Sequence, residues 1–253
     1  MKKIVLVSLT AIFLFSFKSD SFEKGMFPMS QLNSLDLKNA GLEISTNDIY
    51  NESKPALVNA LVRLGGCTGS FISNTGLIIT NHHCVFSSVA SVSSSENNYL
   101  ENGFYASDKA DEIKTSLPCK ITMSYQDVSE AVLEGIQTNT PALEKQEIIE
   151  KNRKLILERE QKSNPNLTPE ISEMLVGKSY TLFLYKTLSD VRLVYVPPKN
   201  IGKFGGETDN WEWPRHNGDF SIVRAYENGL PYIPEKHLEV NPSGTSEGDF
   251  TFI

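Results

Sequence analysis

The sequence predicts a mainly β fold, on three observations. Short apolar runs bounded by turn residues recur along the chain: 70–73 and 77–80 about Asn74-Thr75-Gly76, 180–185 and 191–196 about Ser189-Asp190, and 220–226 before Asn228-Gly229. Residues 120–125 alternate polar and apolar, as a half-buried strand does. Helical patterning is concentrated in one stretch, 127–175, where charges of both signs are dense and Ile148, Ile149, Leu155 and Ile156 recur at helical spacing. The 253 residues are 40% hydrophobic and 22% charged, an ordinary globular balance that excludes disordered and collagen-like classes. Outside the N-terminus no apolar run reaches 20 residues, which excludes a polytopic helical membrane protein.

The elements follow in chain order. Met1-Lys2-Lys3 is a short positive start, and residues 4–17 are apolar except for Ser8, Thr10 and Ser16. This pattern suits a secretory signal peptide over residues 1–19, cleaved near Ser19 to Ser21, with an uncleaved anchor as the alternative. Export places the protein in the periplasm or outside the cell, where disulfides persist. A helix is expected near 53–63, with Pro55 in its first turn. Residues 65–85 read as strand, turn, strand, and the Ser- and Asn-rich residues 87–98 as a loop or polar surface segment. Asn164-Pro165-Asn166 divides the 127–175 excursion into two helices. A glycine-rich loop at 202–206 leads into Asp209-Asn210-Trp211-Glu212-Trp213-Pro214. Thr251-Phe252-Ile253 reads as a strand that needs a partner from further on, so the sequence is taken as an N-terminal fragment.

Charge and histidine placement narrow the chemistry. There are 31 acidic and 24 basic residues, and removal of residues 1–19 takes three lysines from the net −7 and leaves the body at about −10. No basic surface suggests a nucleic-acid partner. Of four histidines, two are adjacent in Thr80-Asn81-His82-His83-Cys84, just after a buried strand. A histidine followed by cysteine at a strand end, with Cys67 placed 17 residues earlier, suits a trypsin-like (chymotrypsin-type) barrel. There a disulfide pins the loop that carries a general base, and imidazole serves because its pKa lies near working pH. A hairpin would bring Cys67 and Cys84 together; Cys119 is then a buried thiol or pairs elsewhere, since an odd count leaves one over. His82, His83, Cys84 and Cys67 are also candidate zinc ligands, but adjacent histidines diverge and no second Cys-x-x-Cys half exists. Gly244-Thr245-Ser246-Glu247-Gly248 matches the nucleophile-elbow pattern without the strand before it and helix after it that such a Ser needs, so it is read as a surface turn.

Two longer stretches carry a family resemblance. Gly65-Gly66-Cys67-Thr68-Gly69-Ser70 through Leu77-Ile78-Ile79-Thr80-Asn81-His82-His83-Cys84 resembles the first signature of the bacterial dipeptidyl-peptidase 7 and dipeptidyl-peptidase 11 family of trypsin-like serine exopeptidases. Phe204-Gly205-Gly206 and the run from Asp209 to Phe220 resemble the second, and Lys24-Gly25-Met26-Phe27-Pro28 the mature N-terminus. The resemblance implies a Ser-His-Asp triad with His83 as base and Asp219 as acid. It implies that Asn210 and Trp211 hold the free N-terminus of a peptide substrate. Asn217 departs from the Thr that members often carry there. It further implies a catalytic domain split into two barrels around a helical domain, beginning here at residue 24, with the serine in the part beyond residue 253. By this reading the 253 residues alone are inactive. No cofactor or metal is called for, no membrane contact remains after signal cleavage, and a homodimer is implied. Two rival readings stay open: a trypsin-fold binding module that has lost catalysis, and a zinc-binding structural domain.

Overall fold

The structure is a computed structural model that describes residue 27 and residues 29–51, 53–175, 177–202 and 217–252. The expected signal peptide lies outside these residues, as do Asn210, Trp211, Trp213 and most of the 202–206 loop. The described residues divide into two compact units, one lying between Asn51 and Asn241 and a smaller one combining those up to Tyr50 with those from Pro242 onward.

An antiparallel sheet of 11 strands organises the larger unit. Its strands are β1 (Leu61–Leu64), β2 (Cys67–Phe71), β3 (Leu77–Thr80), β4 (Phe104–Tyr105), β5 (Ile113–Thr115), β6 (Cys119–Asp127), β7 (Thr168–Leu175), β8 (Ser179–Leu188), β9 (Asp190–Val196), β10 (Ser221–Glu227) and β11 (Leu230–Pro231). The order across it is β4-β9-β10-β3-β2-β1-β6-β8-β7, with β5 added to β9 and β11 to β10. β9 and β8 stand far apart along this path, yet only Ser189 separates them in sequence. Consecutive Cα atoms are about 3.8 Å apart, so the sheet has to curl until the two strands meet. The Lys186–Glu227 ion pair at 2.7 Å spans the gap from β8 to β10. Among the described residues no ladder joins β8 to β9, so the expected barrel takes the form of a curled, non-closed sheet.

Alternation decides which side chains fill the curl. In β1, Val62 and Leu64 point inward and Arg63 outward. Phe71, Ile78, Val191, Leu193 and Val223 are fully buried beside them. Each such side chain contributes about 1.5–3 kcal/mol when removed from water. Helix α1 (His82–Val92) closes over this core, because Val85 and Val89 lie one turn apart on its inner face. The β2–β3 turn needs Gly76: its φ is +75°, and a Cβ there would stand 2.7 Å from the carbonyl oxygen of Ala225.

A second, smaller core lies in the excursion. Helices α2 (Ser129–Leu133) and α3 (Ala142–Ser163) pack Val132 and Ile156 against Ile171 of β7 and Tyr180 and Leu182 of β8. Asn152 Nδ2 donates to the carbonyls of Val132 and Glu134, each at 3.0 Å, tying α3 to the end of α2.

Four expectations need correction. The helix near 53–63 is a short 3₁₀ turn at Leu57–Ala60 followed directly by β1. The second half of the excursion is β7, not a helix; its pairing with β8 outweighs the helical preference of Glu, Met and Leu, and its edge position tolerates Pro169. Residues 87–92 are helix rather than loop, because Val85, Val89 and Val92 keep helical spacing through the serines. Thr251 and Phe252 are exposed and not in a strand.

Candidate active site

Two ladder registers assemble the site. Thr80 of β3 faces Ser221 of β10, and the strands run oppositely, so the residues after Thr80 meet those before Ser221. His83 and Asp219, separated by 136 positions, thereby become neighbours. Thr80 also faces Gly69 of β2, so the residues before Gly69 meet the start of α1. Cys67 and Cys84 are bonded there as a disulfide, with Cα atoms 6.0 Å apart. The pairing that the hairpin reading anticipated is therefore present. The histidines begin a helix, not a loop, and the disulfide fastens its first turn.

Asp219 grips His83 at two points. Its Oδ1 accepts the backbone N–H of His83 at 3.0 Å, and its Oδ2 lies 2.7 Å from the imidazole Nδ1. The Asp219 side chain is 10% exposed, whereas that of His83 is 60% exposed. With Nδ1–H donating to the carboxylate, Nε2 carries the lone pair and is the nitrogen able to take a proton. A sheltered carboxylate beside an accessible imidazole is an arrangement able to serve as base and orienter in a nucleophilic triad.

His82 faces the other way. It is 1% exposed, its Nδ1 stands 3.5 Å from Ser221 Oγ, and its ring meets Phe86 edge-on. Its ring fills the space above Gly202, where a Cβ would fall 2.4 Å from it. Burial pushes the His82 pKa below the ordinary histidine value; the nearby Asp219 charge opposes this and His83 adds to it. Adjacent helical positions diverge by about 100°, so only one of the pair can face Asp219 from the surface.

Cys67, Cys84 and His83 place their donor atoms within 4.8 Å of one another, the trio on which a zinc reading would rest. The two sulfurs are bonded to each other, so neither offers the thiolate that zinc requires. Cys119, the remaining cysteine, is a buried free thiol whose pKa burial pushes up to about 12. Ser246, in the nucleophile-elbow look-alike, occupies an exposed turn at the surface. Asn210 and Trp211 lie outside the described residues. One participant was not anticipated: Asn81, whose side-chain amide also reaches Asp219. Sequence reasoning had no signal for it, because α1, whose N-cap position Asn81 occupies, was itself not expected.

Comparison with known proteins places the chain in a family. The Peptidase S46 family model matches residues 22–253. The chain is 35% identical to dipeptidyl-peptidase 7 of Capnocytophaga gingivalis, over 100% of its own length and 38% of that protein's. It is 38% identical to an Asp/Glu-specific dipeptidyl-peptidase of Flavobacterium psychrophilum, over 96% of its length and 36% of the relative's. The crystal structure of Porphyromonas endodontalis DPP11 in complex with substrate superposes with a TM-score of 0.77 at 37% identity, covering 90% of this chain and 36% of that one. The chain thus spans little more than a third of the curated relatives it matches. With a family match over nearly its whole length, and with His83 and Asp219 in contact at the junction of β3, α1 and β10, the chain belongs to the peptidase S46 family.

Proposed function

We propose that the whole protein is a serine-type dipeptidyl peptidase that releases dipeptides from the free N-terminus of peptides. The observation that carries this reading is the 2.7 Å contact between His83 Nδ1 and Asp219 Oδ2 in a peptidase S46 chain. His83 Nε2 takes the proton of a serine hydroxyl as that oxygen attacks the scissile carbonyl, then returns it to the departing amine. Asp219 keeps the ring in the productive tautomer and stabilises the imidazolium. The serine and its oxyanion donors come from outside residues 1–253, in keeping with relatives nearly three times as long. Residues 24–253 then form the first part of a split catalytic domain and are inactive without the rest.

Asn210 and Trp211 hold the substrate's ammonium group, the amide oxygen accepting its N–H donors and the indole face attracting its charge. A leader over residues 1–19 delivers the protein to the periplasm or the medium. The disulfide beside His83 suits such an oxidising compartment. Family resemblance also supports a homodimer.

The test uses the full-length protein with matched peptides, one free and one acetylated at the N-terminus. Dipeptide release from the free peptide alone, abolished by His83→Ala, is the expected result. Equal turnover of both would make the enzyme an endopeptidase and remove the roles of Asn210 and Trp211. Turnover of neither would favour the non-catalytic binding module.

A further inference from the structure

Asn81 occupies the N-cap position of α1, yet its side chain makes no capping bond to the helix. Its amide Nδ2 instead donates to Asp219, at 3.1 Å to the backbone carbonyl and 3.3 Å to Oδ2. Asp219 fills the capping role in return, since its Oδ1 accepts the backbone N–H of His83 in the first helical turn. Asn81 and Asp219 have exchanged tasks across the β3–β10 junction. The carboxylate caps the helix, and the residue at the cap steadies the carboxylate.

The carboxylate thus has three donors on two oxygens. His83 supplies its backbone N–H and Nδ1–H, and Asn81 supplies the third. Two contacts come from the residue being oriented and cannot independently set the plane of the carboxyl group. Asn81 reaches it from a different residue and also fixes the Asp219 main chain. We propose that Asn81 is a positioning residue, acting through Asp219 to hold the His83 imidazole in its working orientation. This inference rests on the reading of His83 and Asp219 as base and orienter.

The experiment compares Asn81→Ala and Asn81→Asp with the unsubstituted full-length protein on a free N-terminal peptide substrate. Asn81→Asp keeps shape and capping ability but sets a second carboxylate against Asp219. A hydrogen bond to a charged group, when lost, lowers kcat by about tenfold or more, and the like charge lowers it further. KM should stay within about twofold, because the contact is not to substrate. The downfield Nδ1–H proton resonance of His83 should shift or broaden in both variants, and Asn81→Gln, which keeps the donor, should recover part of the loss. Melting temperatures separate this from misfolding. Unchanged kcat and an unchanged resonance in folded Asn81→Ala and Asn81→Asp overturn the inference while leaving the proposed function intact. If His83→Ala itself retained full activity, the underlying reading would fail instead.

Discussion

Replacing Asp219 with Asn exchanges one oxygen for an amino group and, through it, changes the tautomer of His83. The native carboxylate offers two acceptors: Oδ1 takes the His83 backbone N–H at 3.0 Å, and Oδ2 faces Nδ1 at 2.7 Å and Asn81 Nδ2 at 3.3 Å. A carboxamide has one acceptor and one donor group. The backbone N–H cannot reverse its role, so the remaining oxygen stays opposite it and the amino group takes the place of Oδ2. There it donates to Nδ1, which must then be bare, and the ring proton moves to Nε2. The nitrogen that accepts the serine proton in the proposed mechanism is then blocked. The same trapped tautomer lowers kcat by about 10⁴ in a trypsin-like protease, equivalent to about 5.4 kcal/mol at 1.36 kcal/mol per decade. The assay is kcat and KM of the full-length Asp219→Asn protein on a free N-terminal substrate, with ¹⁵N shifts of the His83 ring to read the tautomer directly. KM should hold, since no substrate contact is removed. A loss below about tenfold, or a ring that keeps its proton on Nδ1, would refute the reasoning.

The disulfide and the buried thiol give two further tests. Cys67 and Cys84 are 17 positions apart, and opening a loop of that size costs about 3 kcal/mol by chain entropy; denaturant unfolding of Cys67→Ser/Cys84→Ser should show this loss, and a double variant as stable as the parent would show that the loop is held without the bond. Burial keeps the Cys119 thiol protonated to about pH 12, against 9.0 in the open chain. The unfolded state therefore releases its proton first, and stability is present below about pH 9 and declines by about 1.4 kcal/mol per unit as pH rises toward 12. Alkaline unfolding of Cys119→Ala should lack that component, and identical slopes in both proteins would place the thiol in a wetter site.

The local pattern of the sequence determined the hairpin of β2 and β3, the strands β8, β9 and β10, and the disulfide between Cys67 and Cys84. These depend on alternation over a few residues and on turn chemistry at Gly76 and at Asn228-Gly229, where both φ angles are positive. The adjacency of His82 and His83 was equally plain, and the family signature singled out His83 and Asp219.

Only the tertiary structure decided the rest. Residues 168–175 carry helix-forming side chains and became β7 because β8 offered a full partner and Ile171 a place in the second core. The serines after Cys84 concealed α1, whose valines acquire meaning once the curled sheet presents a core for them to cover. That His82 is buried while His83 faces Asp219 follows from the helical turn between them, which no list of residue types conveys. In the sequence Asn81 reads only as part of the run after a buried strand, and its N-cap position appears only once α1 is seen. Its turn toward Asp219 arises from pairing between segments 138 positions apart, and such pairing is a property of the β3–β10 register, where local preference has no say.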